Sequence, residues 1–403
     1  MSRKTQIQSE VRRQKKCEMD ILTLIKKSKI IVLCVAISYF TSGLIINFFQ
    51  LLLHLFVKPW SKWLYRRLMY YLCYSFYCQL VFVTDWWSNS KLYVYADEDV
   101  MKKYAGHEHV LLLMNHTYEI DWLMGWVLCE KVGVLGNCKA YAKKVIQYFP
   151  AVGWAWKFAE FVFLERSYEK DKEIIARQLK EVFDYPDPVW ILLNAEGTRF
   201  TPEKHEASVK FAKDRGMVPL KYHLIPRTKG FTTSMPTLKG RCDAAYDITL
   251  VFKKDDPVKP TVSNLLFGEP VTGYMLVRRT PIDSIPEEEE GAAEWLHNLF
   301  REKDKIVDSF HTHGNFFTGS GVKEVPCFLQ KRRVYPLINT VAWMIITLTP
   351  ILYYLSHLLF SGSIFYFSLG IGILAIFFLL LQKSIGMSKI SKASSYGAKT
   401  TSK

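Results

Sequence analysis

The chain has 403 residues, 53 Lys and Arg against 38 Asp and Glu, a formal net charge of +15, and 49% hydrophobic residues. That apolar content excludes a disordered or fibrous chain, and its concentration in long uncharged runs argues against a small soluble domain. A positive balance of this size calls for an acidic partner, and where the charge sits decides which one.

Residues 1–29 hold nine Lys/Arg against three acidic residues, Lys58 to Arg67 adds four basic residues, and the chain after residue 381 adds five. Outside these three segments the chain is balanced at 35 basic against 35 acidic residues. The whole excess flanks hydrophobic runs, as cationic anchors on a lipid surface do. Nucleic-acid recognition would place basic residues among aromatics inside a folded domain. Membrane lipids are therefore an expected partner, and nucleic acid is not.

The first apolar run, Ile30 to Val57, is 28 residues without a formal charge, more than the ~20 that cross a bilayer. Leu68 to Val83 is shorter and rich in Tyr and Cys; spanning, re-entrant and interfacial placements are all open to it. The basic stretch between the two runs conflicts with a simple span by the first. A hairpin dipping into one leaflet would relieve the conflict, as would a second span. A cleaved signal peptide is not expected, because the first run starts late and is too long for an h-region.

Between Thr84 and Gln330, short β-rich runs alternate with helical stretches, which predicts an α/β layered domain over 84–330. The expected strands are Leu92–Ala96, Val110–Met114, Phe161–Leu164, Val189–Leu193, Tyr222–Ile225, Ile248–Phe252 and Tyr274–Val277. The expected helices are Asp121–Glu130, Glu169–Phe183, Pro202–Asp214 and Glu287–Phe310, the last opening on four Glu suited to a helix N-terminus. Leu337–Phe360 and Ile364–Leu381, joined by Ser361-Gly362-Ser363, predict a membrane hairpin within 331–387. Lys331-Arg332-Arg333 before it and Lys383 after it predict that both ends face the cytosol. Residues 388–403 read as a basic disordered tail, and residues 1–83 as a basic N-terminus with its membrane segments. The eight Cys form no CxxC pair and no zinc-like spacing with His, so neither a disulfide framework nor a metal site is expected.

Three segments carry chemistry. In Val110-Leu-Leu-Leu-Met-Asn115-His116-Thr-Tyr-Glu-Ile-Asp121 an apolar strand runs into Asn-His, with an Asp five residues later at a helix start. A His at a strand end lies on the rim where α/β sites collect. The Asp could fix its tautomer, as in a triad without the serine, leaving the nucleophile to be the substrate's own hydroxyl; a capping Asp beside an ordinary loop His is the plainer alternative. Asn115-His116-Thr117 is also the one N-x-Ser/Thr sequon, which favours a cytosolic over a lumenal placement. In Val189-Trp-Ile-Leu-Leu-Asn-Ala-Glu196-Gly197-Thr198-Arg199 a second strand meets a polar turn. There Gly197 allows close approach, Thr198 offers a hydroxyl and Arg199 a fork suited to phosphate. Phe163-Leu-Glu-Arg166 places a further Arg just past a strand.

With these residues set out, a resemblance appears. NHTYEID matches the NHxxxxD motif of the glycerolipid acyltransferases, and EGTR, about 80 residues on, matches their second hallmark. The string EGTRFTPEKHEAS…IPRTKGFTT resembles the 1-acylglycerol-3-phosphate acyltransferases of the gamma/delta branch, and the likeness covers most of residues 30–381. One motif departs: GxxFxxR is met as Glu160-Phe-Val-Phe163-Leu-Glu-Arg166, with Glu in place of Gly. Pro219 and Pro226 fall where the family has a proline-containing motif that shapes the acyl site.

The resemblance implies a glycerolipid-acyltransferase domain flanked by membrane helices in the endoplasmic reticulum. It also implies transfer of an acyl group from acyl-CoA, a co-substrate, to lysophosphatidic acid without a cofactor. His116 would be the general base and Asp121 its orienting partner. Arg166 and Arg199 would bind the acceptor phosphate, in a pocket built by Glu196, Gly197 and Thr198. A related enzyme acting on another lysophospholipid would share every one of these motifs. A non-enzymatic membrane-shaping protein would not be expected to keep His116, Asp121 and Arg199 intact.

Overall fold

The computed structural model describes residues 23–165 and 168–388. Arg166 lies outside the described residues, as do the basic segment before residue 23 and the expected disordered tail from 389 onward. Two helices open the fold: α1 (Lys29–Leu52), carried on by a π-helical turn at Leu53–Val57, and α2 (Lys62–Phe82). The hydroxyl of Ser61 caps α2 by accepting the N–H of Leu64 at 3.1 Å.

The α/β domain follows in the order β1 (Lys91–Tyr95), β2 (Val110–Met114), α3 (Asp121–Lys131), β3 (Cys138–Lys143), α4 (Val152–Phe158), β4 (Val162–Leu164), α5 (Tyr168–Phe183) and β5 (Trp190–Leu192). Then come α6 (Pro202–Asp214), α7 (Thr228–Leu238), β6 (Ala244–Phe252), α8 (Val262–Leu266), β7 (Thr272–Pro281), α9 (Glu289–His313) and β8 (Cys327–Leu329). The strands form one mixed sheet ordered β4-β3-β5-β2-β6-β7-β1-β8. β2 runs parallel to both its neighbours, β5 and β6, while β7 returns antiparallel to β6. All five residues of β2 and all nine of β6 are buried, as the unbroken apolar run of a central strand covered on both faces requires.

Among the sequence-predicted strands, Tyr222–Ile225 does not form. Its ladder bonds are taken by side chains instead: the N–H groups of Lys221 and Tyr222 donate to Asp304 of α9 at 2.8 and 2.7 Å, that of Leu224 to Glu196, and that of Ile225 to Ser208 of α6 at 2.8 Å. The segment is a loop between two helices because neighbouring polar side chains offer it a better-placed set of partners than a strand edge would.

The expected C-terminal hairpin is present as α10 (Tyr335–Leu359) and α11 (Ile364–Ser388). Both are long and apolar enough to cross a membrane and are only sparsely buried; a third candidate span, Lys29–Val57, is nearly half buried against the rest of the fold. An exposed apolar surface of that extent needs lipid as its solvent. α2 is different. Its Met69, Cys73, Phe76 and Tyr77 are buried, and it packs against α1 and α10 on one side and α3 on the other.

α1 meets the α/β domain at three points along its length. Lys27, just before it, pairs with Glu269 at 3.2 Å; Asn47 donates to the Ala151 carbonyl at 3.1 Å; Lys58, just after it, pairs with Glu160 at 2.8 Å. Lys27 and Lys58, the basic residues nearest the two ends of α1, are thus both held by carboxylates of the α/β domain.

Candidate active site

His116 stands two residues past the end of β2, and Asp121 opens α3. The intervening loop brings the His116 Nδ1 and Asp121 Oδ2 atoms to 2.8 Å. Asp121 is 1% exposed and its second oxygen accepts the N–H of Trp122 at 2.7 Å. A buried carboxylate that accepts Nδ1–H fixes the tautomer and leaves the Nε2 lone pair outward. Among the described residues nothing hydrogen-bonds Nε2, and the side chain is 24% exposed, so that nitrogen can meet a ligand. Burial alone pulls the His116 pKa down. The charge and hydrogen bond of Asp121 outweigh it, Glu196 adds to them and Arg199 opposes, and the net result lies above the ordinary histidine value.

Asn115 splints this loop to the next strand. Its side-chain carbonyl accepts the Leu250 N–H at 2.8 Å, and its amide donates to the Leu250 carbonyl at 3.0 Å. Sequence reasoning gave Asn115 no role; its fixed place beside the histidine was the only signal.

The second motif docks directly beneath the first. The N–H of His116 donates to Glu196 Oε1 at 2.8 Å, the N–H of Leu224 donates to Glu196 Oε2 at 3.0 Å, and the N–H of Phe200 donates to the His116 carbonyl at 2.8 Å. Glu196 is 2% exposed, so it braces the site from below, with both oxygens engaged by backbone. Gly197 closes a turn through its N–H to the Asn194 carbonyl at 2.9 Å and adopts φ +69°. A Cβ there would fall 2.9 Å from Cδ of Arg227, so glycine meets both a backbone and a space requirement. Thr198 accepts a hydrogen bond from the Lys204 ammonium at 2.6 Å, and Arg199 is half-buried beside it. α6 follows at once, with the Thr201 hydroxyl capping the Lys204 N–H at 3.2 Å and Pro202 in its first turn.

Glu160 is the residue where the third motif departs from the family's glycine, and its backbone adopts φ +59°. The left-handed conformation that a glycine would supply is retained, and its cost to a non-glycine residue is met by ion pairs. Glu160 binds Lys58 at 2.8 Å and Arg66 Nε at 3.0 Å; Arg66, 4% exposed, also reaches Glu181 at 2.7 Å and the Asp184 carbonyl at 3.0 Å. The motif is thereby pinned to α2, from the segment that leads on to position 166.

Residues 91–241 match a family model described as "Acyltransferase", and residues 264–343 one described as "Acyltransferase C-terminus". The human 1-acyl-sn-glycerol-3-phosphate acyltransferase gamma is 39% identical over 94% of this chain and 98% of that protein. The mouse 1-acyl-sn-glycerol-3-phosphate acyltransferase delta is 36% identical over 94% of this chain and 97% of that protein. A solved structure, the 1-acyl-sn-glycerophosphate (LPA) acyltransferase PlsC from Thermotoga maritima, is similar over 69% of this chain and 95% of that one, with 14% identity and a TM-score of 0.41. On the strength of the relatives that match it over nearly its whole length, this chain belongs to the 1-acyl-sn-glycerol-3-phosphate acyltransferase family.

Proposed function

We propose that the protein transfers a fatty acyl group from acyl-CoA to the sn-2 hydroxyl of 1-acylglycerol-3-phosphate, forming phosphatidic acid. The observation that carries this reading is the buried Asp121 holding Nδ1 of His116 at 2.8 Å, with Nε2 left to the substrate. In this mechanism Nε2 takes the proton of the acceptor hydroxyl as its oxygen attacks the thioester carbonyl. The tetrahedral intermediate collapses with cleavage of the C–S bond. The CoA thiolate leaves and is protonated by the imidazolium, which restores the neutral base. The raised pKa of His116 strengthens it as that base. Arg199 and Arg166 hold the acceptor's phosphate, a role for which Lys would be a poor substitute because it lacks the two-pronged donor geometry.

Within the same proposal the enzyme is an endoplasmic reticulum membrane protein with its α/β domain in the cytosol. Support comes from the two ends of the hairpin, which both return to the domain: Arg333 donates to the Glu130 carbonyl at 2.7 Å, and the Lys383 ammonium lies 4.9 Å from the Phe149 ring centre. Positive residues at both ends of a hairpin favour the cytosolic side.

Membranes containing the wild-type protein should form phosphatidic acid from acyl-CoA and lysophosphatidic acid. His116→Ala, accumulating to the same level, should not. Retention of most of the activity by that variant would refute the assignment of the base.

A further inference from the structure

A cleft of about 420 Å³ opens beside the His116 loop, at the edge of the sheet where β2 and β6 end. Asn115, Thr117 and Tyr118 form its inner wall, so it is continuous with the catalytic loop. Its floor is apolar and aromatic, with Phe200, Leu250 and Phe252. Its outer rim is cationic: Lys253, Lys254 and Lys259 follow β6 within seven residues, all three are exposed, and all three line the cleft.

None of these lysines has an ion pair among the described residues. Lys253 and Lys254 lie instead over the rings of Tyr274 and Tyr222, at 5.4 and 5.3 Å. Asp256 is the one carboxylate in the lining. On the facing side, His311 of α9 also lines the cleft, and burial together with Lys254 depresses its pKa to about 4. His223, buried in the wall, gives Nδ1 to Asp304 at 3.1 Å while its Nε2 has no hydrogen-bond partner among the described residues.

Outside its basic flanks, the domain carries no surplus of positive charge. Residues 84–327 hold 32 basic against 35 acidic residues. Lys253, Lys254 and Lys259 share their segment with Asp255 and Asp256, but of the two carboxylates only Asp256 lines the cleft, so the rim sets three lysines against one aspartate. The proposed reaction uses two anionic substrates. The acceptor has a single phosphate, for which the EGTR turn supplies Arg199, a residue outside the cleft lining. The thioester donor ends in a nucleotide with three phosphate groups and a flat base, and it needs several cations beside an apolar, aromatic surface.

We propose that this cleft binds the 3′-phosphoadenosine diphosphate end of the acyl donor. Lys253, Lys254 and Lys259 pair with its phosphates, and the pantetheine arm runs inward along Thr117 and Tyr118 to bring the thioester to His116. The proposal rests on the reading of the enzyme as acyl-CoA-dependent, but its central prediction can be measured without turnover.

The probe is adenosine 3′,5′-bisphosphate, titrated by calorimetry into the full-length protein in detergent micelles. Saturable binding to the wild type should be lost in K253E/K254E, and weakened at least several-fold in Lys259→Ala. In steady-state assays the bisphosphate should compete with acyl-CoA and not with lysophosphatidic acid. K253E/K254E should raise KM for acyl-CoA by about tenfold or more while leaving KM for the acceptor unchanged. Equal binding of the probe by wild type and both variants would overturn the proposal. So would a raised KM confined to lysophosphatidic acid, which would assign the cleft to the acceptor's phosphate. A wild-type protein that binds the bisphosphate at these lysines but transfers no acyl group would leave the cleft assignment standing and remove the reading of the reaction instead. All three lysines are exposed, and a matching melting temperature separates loss of binding from loss of fold.

Discussion

The backbone N–H of His116 and Oε1 of Glu196 lie 2.8 Å apart, so the peptide that carries the base is held by the opposite motif. The two sequence signatures are one structural unit. Glu196 fixes the height of His116 above the sheet with one oxygen and the Leu224 loop with the other.

Removing that carboxylate should damage catalysis without removing any group that touches substrate. Glu196→Ala strands two buried amide donors, at about 1–3 kcal/mol each. Displacement of the base should lower kcat by about 10²-fold, together with a clear fall in melting temperature. Glu196→Gln keeps one acceptor and should fall between the two. A Gln variant equal to the wild type in both kcat and melting temperature would show that one bond is enough.

The pH dependence follows from His116. Its folded pKa is raised above the ordinary value, and the base works only when neutral. The acidic limb of kcat/KM should therefore lie above the ordinary value for histidine, near 6.5, with activity lost as pH falls through it. Asp121→Asn removes the charge that raises this pKa, so the limb should move to lower pH while the plateau drops by about 10²- to 10⁴-fold. An unmoved limb in this variant would mean that some other group titrates there.

Arg199→Lys should chiefly raise KM for the phosphorylated acceptor, since a single ammonium cannot reproduce the guanidinium fork. The KM for acyl-CoA should not move. If the acceptor KM is unchanged in the lysine variant, Arg199 does not grip the phosphate.

Glu160→Gly restores the residue of the family motif and relieves the left-handed backbone, a gain of about 1 kcal/mol. It also leaves the buried Arg66 guanidinium short of a partner, at a cost of about 3–5 kcal/mol for a broken buried pair. Net destabilisation is expected, and Arg66→Met should reverse much of it in the double variant. Burial pushes the Glu160 carboxyl up, but Lys58 and Arg66 outweigh it and hold its pKa below the usual value. The stability it contributes is thus full above the unfolded carboxyl's pKa and is lost as pH falls through the lower folded one. Acid unfolding of wild type and Glu160→Gln, followed by near-ultraviolet circular dichroism, should converge at low pH.

Much of the catalytic loop was legible because its elements carry local signals. β2 is an unbroken apolar run, and α6 begins with a capping Thr201 and Pro202, so the limits predicted for both agree with those observed. β3 escaped notice because it mixes Lys139 and Lys143 into its pattern, and Lys139 is buried only through a tertiary partner, the Ala159 carbonyl. α7 holds Gly230, a Thr-Thr pair and Pro236, which local propensity counts against a helix. The roles of Glu196 and Asn115 depend on strands far apart in sequence, and no local pattern announces them.

The network around Arg66 joins Lys58, Glu160, Glu181 and Asp184 across two segments of the chain, 58–66 and 160–184. In protein engineering these segments behave as a single exchangeable part. A chimera that takes residues 58–66 from this protein and residues 160–184 from a relative with glycine at the motif's first position inherits a buried guanidinium without its carboxylate. Transplanting both segments together keeps the pairing, and with it the seat of the catalytic domain on its membrane helices.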